Sequence, residues 1–145
     1  MRLVVDSNIL FTFFWKTSLF HRVSLKQKLD LIAPEFTLEE INKYQKDIMK
    51  KANIDEQEFI QLKKELAIRV EFIPLEEYTS SFKNAVALAK EIPEEQRDAF
   101  LDDIDFLALA IKEQCPLWTH DSLLKKQSMI VILETKDIIK FLGIE

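Results

Sequence analysis

Short β-type runs alternate with longer helical stretches along this chain, and no other feature constrains its fold as strongly. Such alternation marks an α/β domain with a mainly parallel sheet. The runs are Arg2–Val5, Asp30–Ile32, Val70–Ile73, Leu117–Trp118 and Met129–Leu133. With 145 residues, of which 48% are hydrophobic, the chain fits one domain, residues 1–145, with a substantial core. No repeat, low-complexity tract or domain-splitting linker interrupts it.

The stretches between the runs carry helical patterns. Ser7 to Lys16 is apolar nearly all round, which suits a helix buried on several sides or shared with a second copy of the chain. Thr37 to Ala52 is amphipathic, with Ile41, Tyr44, Ile48 and Ala52 on one stripe and Lys43, Lys46 and Lys50 opposite. Asp55 with Glu58 three residues on predicts a capped helix running through Phe59, Leu62 and Leu66 to Arg69. Further helices are predicted over Glu76 to Glu91 and Thr135 to Leu142, with Pro93 to Asp98 as a polar connector. After Asp102-Asp103-Ile104-Asp105, the run Phe106 to Ile111 is apolar without a break. That helix must be packed on most sides, so its first turn opens near the interior.

Composition removes several function classes. The only glycine, Gly143, lies near the end, so no glycine-dependent phosphate loop exists; Walker-type hydrolases and dinucleotide-binding dehydrogenases are excluded. One cysteine and two histidines build neither a disulfide framework nor a Cys- or His-rich metal site. The net charge of −5 means that any nucleic-acid contact is local. The uncharged run from Ser7 to Trp15 is far short of the ~20 residues a bilayer requires, and the amino terminus lacks a signal-peptide layout. A cytoplasmic protein without membrane contact is expected.

Asp6 directly follows the first strand run and Asp121 the short fourth one. In an open parallel sheet, ligands bind beyond the carboxyl ends of strands where strand order reverses. If the first and fourth strands are neighbours there, the two acids converge on one crevice. Asp103 opens the apolar helix leading into the fourth strand, and Glu40 lies in the first turns of the helix after the second. Carboxylates gathered without a basic partner repel one another, and a cation makes their assembly tolerable. Oxygen-only ligands suit Mg²⁺ or Mn²⁺, which serve phosphodiester hydrolysis.

Each acid also has a plainer reading. Asp6 suits a helix N-cap, Asp121 a turn, and Glu40 a solvated helix face. Asp102 is expected to cap the apolar helix, and Asp105 to face solvent or to support the other acids. Lys43, Lys46 and Lys50, with Lys51, form a candidate phosphate-contacting strip, and Lys125-Lys126 a second; simple solvation is the commoner role of such faces. Phe11, Phe13, Phe14, Trp15 and Phe20 fit either a core or an interface between subunits. A homodimer is expected from the apolar character of that helix.

Taken together, Leu3-Val4-Val5-Asp6-Ser7-Asn8-Ile9-Leu10, Glu40-Ile41, Asp103 within its spacing to Ala108 and Ala110, and Trp118-Thr119-His120-Asp121 resemble the successive acidic motifs of PIN-domain ribonucleases, the family that includes the VapC toxins. The resemblance covers essentially the whole chain. Ser7 stands where members often carry Thr, which keeps the hydroxyl. The resemblance implies a three-layer α/β/α fold with strand order 3-2-1-4-5. It further implies Asp6, Glu40, Asp103 and Asp121 as catalytic, metal-binding acids, with Asn8 and Thr119 as polar support. The implied activity is cleavage of single-stranded RNA with Mg²⁺ or Mn²⁺, under control of an antitoxin where the protein is a toxin. Glu40 is preferred to Glu39 because it borders the stripe led by Ile41. A PIN-fold RNA-binding or scaffold protein without turnover is the alternative. A receiver-type phosphoacceptor would need an acid after the third strand, where Val70 to Leu75 supplies only Glu71 within the run.

Overall fold

Leu3, Val4 and Val5 are fully buried, as expected of a strand covered on both faces. The computed structural model describes residues 1–26 and 28–144 and places that strand, β1 (Arg2–Val5), at the centre of a five-stranded sheet. The others are β2 (Asp30–Pro34), β3 (Val70–Ile73), β4 (Leu117–Trp118) and β5 (Ile132–Leu133). Their order is β3-β2-β1-β4-β5, with every pairing parallel. Strand order therefore reverses between β1 and β4, where Val5 lies beside Trp118.

Side chains alternate across the sheet. Leu3, Val5, Leu31, Ala33 and Trp118 face one core, while Val4, Ile32 and Leu117 face the other. The first core is covered by α1 (Ser7–Phe11), α2 (Leu19–Val23), α3 (Phe36–Lys43), α4 (Gln45–Ala52), α5 (Glu56–Arg69) and α9 (Thr135–Leu142). The second is covered by α6 (Phe82–Ala87), α7 (Arg97–Leu101) and α8 (Ile104–Glu113). The result is a three-layer α/β/α domain, and no described helix is long and apolar enough to cross a membrane. Phe106 to Ala110 are all buried, which accounts for the helix without a polar face.

Asp55 caps α5, accepting the Glu58 N–H at 2.8 Å. Replacing Asp55 with Ala is expected to destabilise the protein by about 1 kcal/mol, read from a shifted urea midpoint at constant slope.

Several predicted elements differ in extent. The helix expected to reach Lys16 ends at Phe11 and tightens into a 3₁₀ turn, because the Thr12 hydroxyl donates to Ile9 O and the Ser18 hydroxyl to Thr12 O, each at 2.6 Å. Phe13, Phe14 and Phe20 are buried inside the chain, so the apolar pattern no longer argues for a second subunit. The helix over Thr37 to Ala52 is broken in two at Tyr44, whose N–H donates to Glu40 O at the end of α3 and whose carbonyl accepts from Ile48 N at the start of α4, each at 2.9 Å. Instead of one helix over Glu76 to Glu91, 3₁₀ turns flank the short α6; the buried Tyr78, tied to Asp105 at 2.7 Å, breaks the run. The connector Pro93 to Asp98 holds a 3₁₀ turn and the start of α7.

Strand β5 is shorter than the predicted Met129–Leu133 because the buried Gln127 side chain takes over the local backbone. Its Oε1 accepts the Met129 and Ile130 N–H groups at 2.9 and 2.8 Å, and its amide donates to the Leu124 and Ile130 carbonyls. The N–H groups that would extend the strand are thereby engaged.

Candidate metal centre

The end of β1 delivers Asp6 to the reversal point, where its N–H donates to the Trp118 carbonyl at 3.2 Å. Its side chain caps α1 by accepting the Ile9 N–H at 2.9 Å, so the capping reading and the site reading describe one residue. The second carboxylate oxygen accepts the hydroxyl of Thr119, a fully buried residue just past β4. Burial pushes the Asp6 carboxyl up, and the bonds from Thr119 and Ile9 oppose that rise. Thr119 Oγ1 also accepts the Asp121 N–H at 3.0 Å, linking the two acids through one hydroxyl. Asp121 is exposed and caps the following 3₁₀ turn by accepting the Leu123 N–H at 2.9 Å.

Glu40 is half-buried on α3 and accepts the Ser7 hydroxyl at 2.6 Å, whereas Glu39 is exposed. Asp103 starts α8 with its carbonyl, which accepts from the Phe106 and Leu107 N–H groups, while its carboxyl makes no capping bond. That carboxyl is left for its neighbours. Burial pushes Asp103 up to about 7, reinforced by the close Asp121 carboxylate and by the charges of Asp121, Asp6 and Asp102.

Asp6, Glu40, Asp102, Asp103 and Asp121 line one cavity of about 320 Å³ together with Ser7 and Asn8, and Phe11, Phe36, Tyr44 and Phe106 form its apolar sides. None of the five carboxylates is in an ion pair among the described residues. The five share this cavity without closing on a common point: among the described residues, no three His, Cys, Asp or Glu side chains stand in a metal-holding arrangement. The donor set nevertheless fits a hard divalent cation, being made of oxygens alone and destabilised by its own charge.

One expectation about the neighbouring acids is corrected. Asp102 does not cap the apolar helix; it closes α7 and stands in the cavity wall beside Asp103. Asp105 is half-buried and lies outside the cavity, where it accepts the Tyr78 hydroxyl and holds that ring in the second core. The lysine strip stands apart: Lys43, Lys46 and Lys50 are exposed and none lines the cavity, although Lys43 Nζ sits 5.5 Å from the Tyr44 ring, which does. Lys125 is paired with Glu134 at 2.5 Å, and Lys126 donates to Gln96 at 2.6 Å. The aromatic walls escaped the sequence reading because Phe36 and Tyr44 become neighbours of the acids only through the fold.

Similarity to known proteins agrees with this architecture. A crystal structure of VapBC2 from Rickettsia felis, bound to a DNA fragment from their promoter, contains a chain that superposes with a TM-score of 0.61. The alignment covers 92% of this chain and 98% of that one at 17% identity, a likeness of fold. No curated protein matches the sequence. The family model of the PIN domain matches residues 4–138, nearly the whole of the parallel sheet and every acid of the cavity, and the chain therefore belongs to the PIN-domain family.

Proposed function

We propose that this chain is a Mg²⁺- or Mn²⁺-dependent endoribonuclease that hydrolyses single-stranded RNA, and that it acts as the toxin of a toxin–antitoxin pair. The observation that carries the reading is the set of five carboxylates around one cavity with no ion-paired counter-charge. Asp6, Asp103 and Asp121 would hold the ion, and Glu40 would bind it or orient the attacking water. When bound, such an ion neutralises charge developing on a phosphodiester and eases deprotonation of water.

The chain's own residues prepare that chemistry. Thr119 and the Ile9 N–H fix both oxygens of Asp6, and Ser7 fixes Glu40. Burial and the charges of Asp121, Asp6 and Asp102 make the ionised Asp103 unfavourable on its own, a cost that a bound cation would offset. Lys43, Lys46 and Lys50 supply positive charge at a distance from the acids, suited to flanking phosphates. The toxin assignment takes its support from family membership and from the Rickettsia felis neighbour, which is a VapBC2 chain.

The test is incubation of the purified protein with unstructured RNA in Mn²⁺, Mg²⁺ or chelator. Internal cleavage that depends on the divalent ion is expected; binding of RNA without products under any ion would favour the scaffold reading, which the open arrangement of the acids also suits. Co-expression with the product of an adjacent small reading frame tests the antitoxin, through a stable complex that suppresses cleavage.

Thr119→Val keeps the shape of the residue and removes the donor to Asp6. It is expected to weaken Mn²⁺ binding by about 10- to 100-fold in a calorimetric titration, with Thr119→Ser restoring most of it. Equal affinity in the Val variant would remove Thr119 from the site.

A further inference from the structure

A second cavity of about 460 Å³ adjoins the acid-lined one, and Asp6, Asn8 and Asp121 form the wall they share. Its chemistry is different. Ile9, Leu19, Phe20 and Trp118 make its apolar lining, backed by the buried Phe20 and Trp118 rings packed edge to face at 5.3 Å. On the rim, Thr135 Oγ1 accepts the Trp118 indole N–H at 3.2 Å and bonds His120 Nε2 at 2.6 Å. No lysine or arginine lines this space, and two carboxylates do. A phosphate would be repelled here, whereas a flat, uncharged group with polar edges would not.

From these observations we propose that this cavity receives a nucleobase, the one carried by the nucleotide next to the phosphodiester held at the acids. The proposal rests on the nuclease reading for the position of that phosphodiester. The volume lies within the ~300–1,000 Å³ of small-ligand sites. An apolar lining that includes the partly exposed Leu19 accepts the flat face of any base, while hydroxyl, imidazole and amide groups on a rim read its edges. Single-stranded RNA is the form that can extend an unstacked base into such a space. The cavity thereby gives this enzyme a preference for the base beside the cut.

The experiment uses the complete protein without divalent ions and the four uncharged nucleosides, followed by NMR at the Trp118 indole N–H. A saturable shift is expected for at least one nucleoside, with a Kd in the range of about 1–10 mM and a clear ranking among the four. Leu19→Tyr, which places a ring in the cavity, should weaken that binding about tenfold. Thr135→Val, which removes a rim hydroxyl, should change the ranking. The absence of a saturable shift for every nucleoside up to about 20 mM would overturn the proposal. So would unchanged affinity in a folded Leu19→Tyr protein together with unchanged ranking in Thr135→Val. Nucleoside binding without RNA cleavage in Mn²⁺ would support the cavity and defeat the nuclease reading; cleavage without nucleoside binding would do the reverse.

Discussion

Asp103→Asn is expected to abolish divalent-dependent RNA cleavage, by at least about 100-fold, while making the metal-free protein more stable. The two effects have one cause. Asp103 is half-buried beside Asp121, Asp6 and Asp102, so its charge is unfavourable in the folded chain and its carboxyl is pushed up to about 7. Between the ordinary 3.8 and that value the native state binds the proton and the unfolded state has released it. The corresponding stability is fully present below about pH 4 and is lost as pH rises towards 7. Asn removes the charge and with it this slope. Because the group is partly solvated, the gain at pH 7.5 is expected at about 1–2 kcal/mol rather than the full conversion of the shift. Urea denaturation at pH 4.5 and 7.5 measures it. A variant that cleaves within about tenfold of the native rate, or that is no more stable at pH 7.5, would contradict the role given to Asp103.

Trp118→Ala is expected to lower stability by about 3–5 kcal/mol, a large share of what a domain of this size possesses. Trp118 is completely buried, lies in β4 between β1 and β5, and packs edge to face on Phe20. Its removal leaves a cavity in the first core and deprives Thr135 of the indole donor. It also loosens the strand end that carries Thr119 and Asp121. Cleavage should therefore fall along with stability, unlike Asp103→Asn, where the two move in opposite directions. A loss below about 1 kcal/mol would show that β4 is not anchored as described.

How much of this was legible in the sequence differs by element. The β-type runs could be read because stretches such as Leu3-Val4-Val5 and Val70 to Ile73 are rich in apolar and β-branched residues, and their strands formed where predicted. The order of the strands was not contained in those runs; it followed from the likeness to PIN domains and agrees with the observed sheet. The break at Tyr44 was hidden because the stripe Ile41, Tyr44, Ile48 continues across it, and helical bonds run up to Tyr44 from both sides. The short β5 depended on the hydrogen bonds of one buried amide, Gln127, which no periodicity reveals.

The site divides in the same way. Asp6 and Asp121 could be placed from their positions after strands, since a parallel sheet carries such residues to one edge. Asp102 was misread because a pair of acids before an apolar helix looks like a cap. In the folded chain a second helix, α7, ends there and turns Asp102 into the cavity. The larger neighbouring cavity was invisible, because Phe20, Trp118 and Thr135 meet only through tertiary packing.

The most direct test of the central claim, that these acids collect one divalent cation site, is anomalous diffraction from crystals soaked in Mn²⁺. An anomalous peak in contact with Asp6 and Asp103 is expected, absent in Asp103→Asn. Anomalous density only elsewhere, or none at a concentration that supports cleavage, would contradict it.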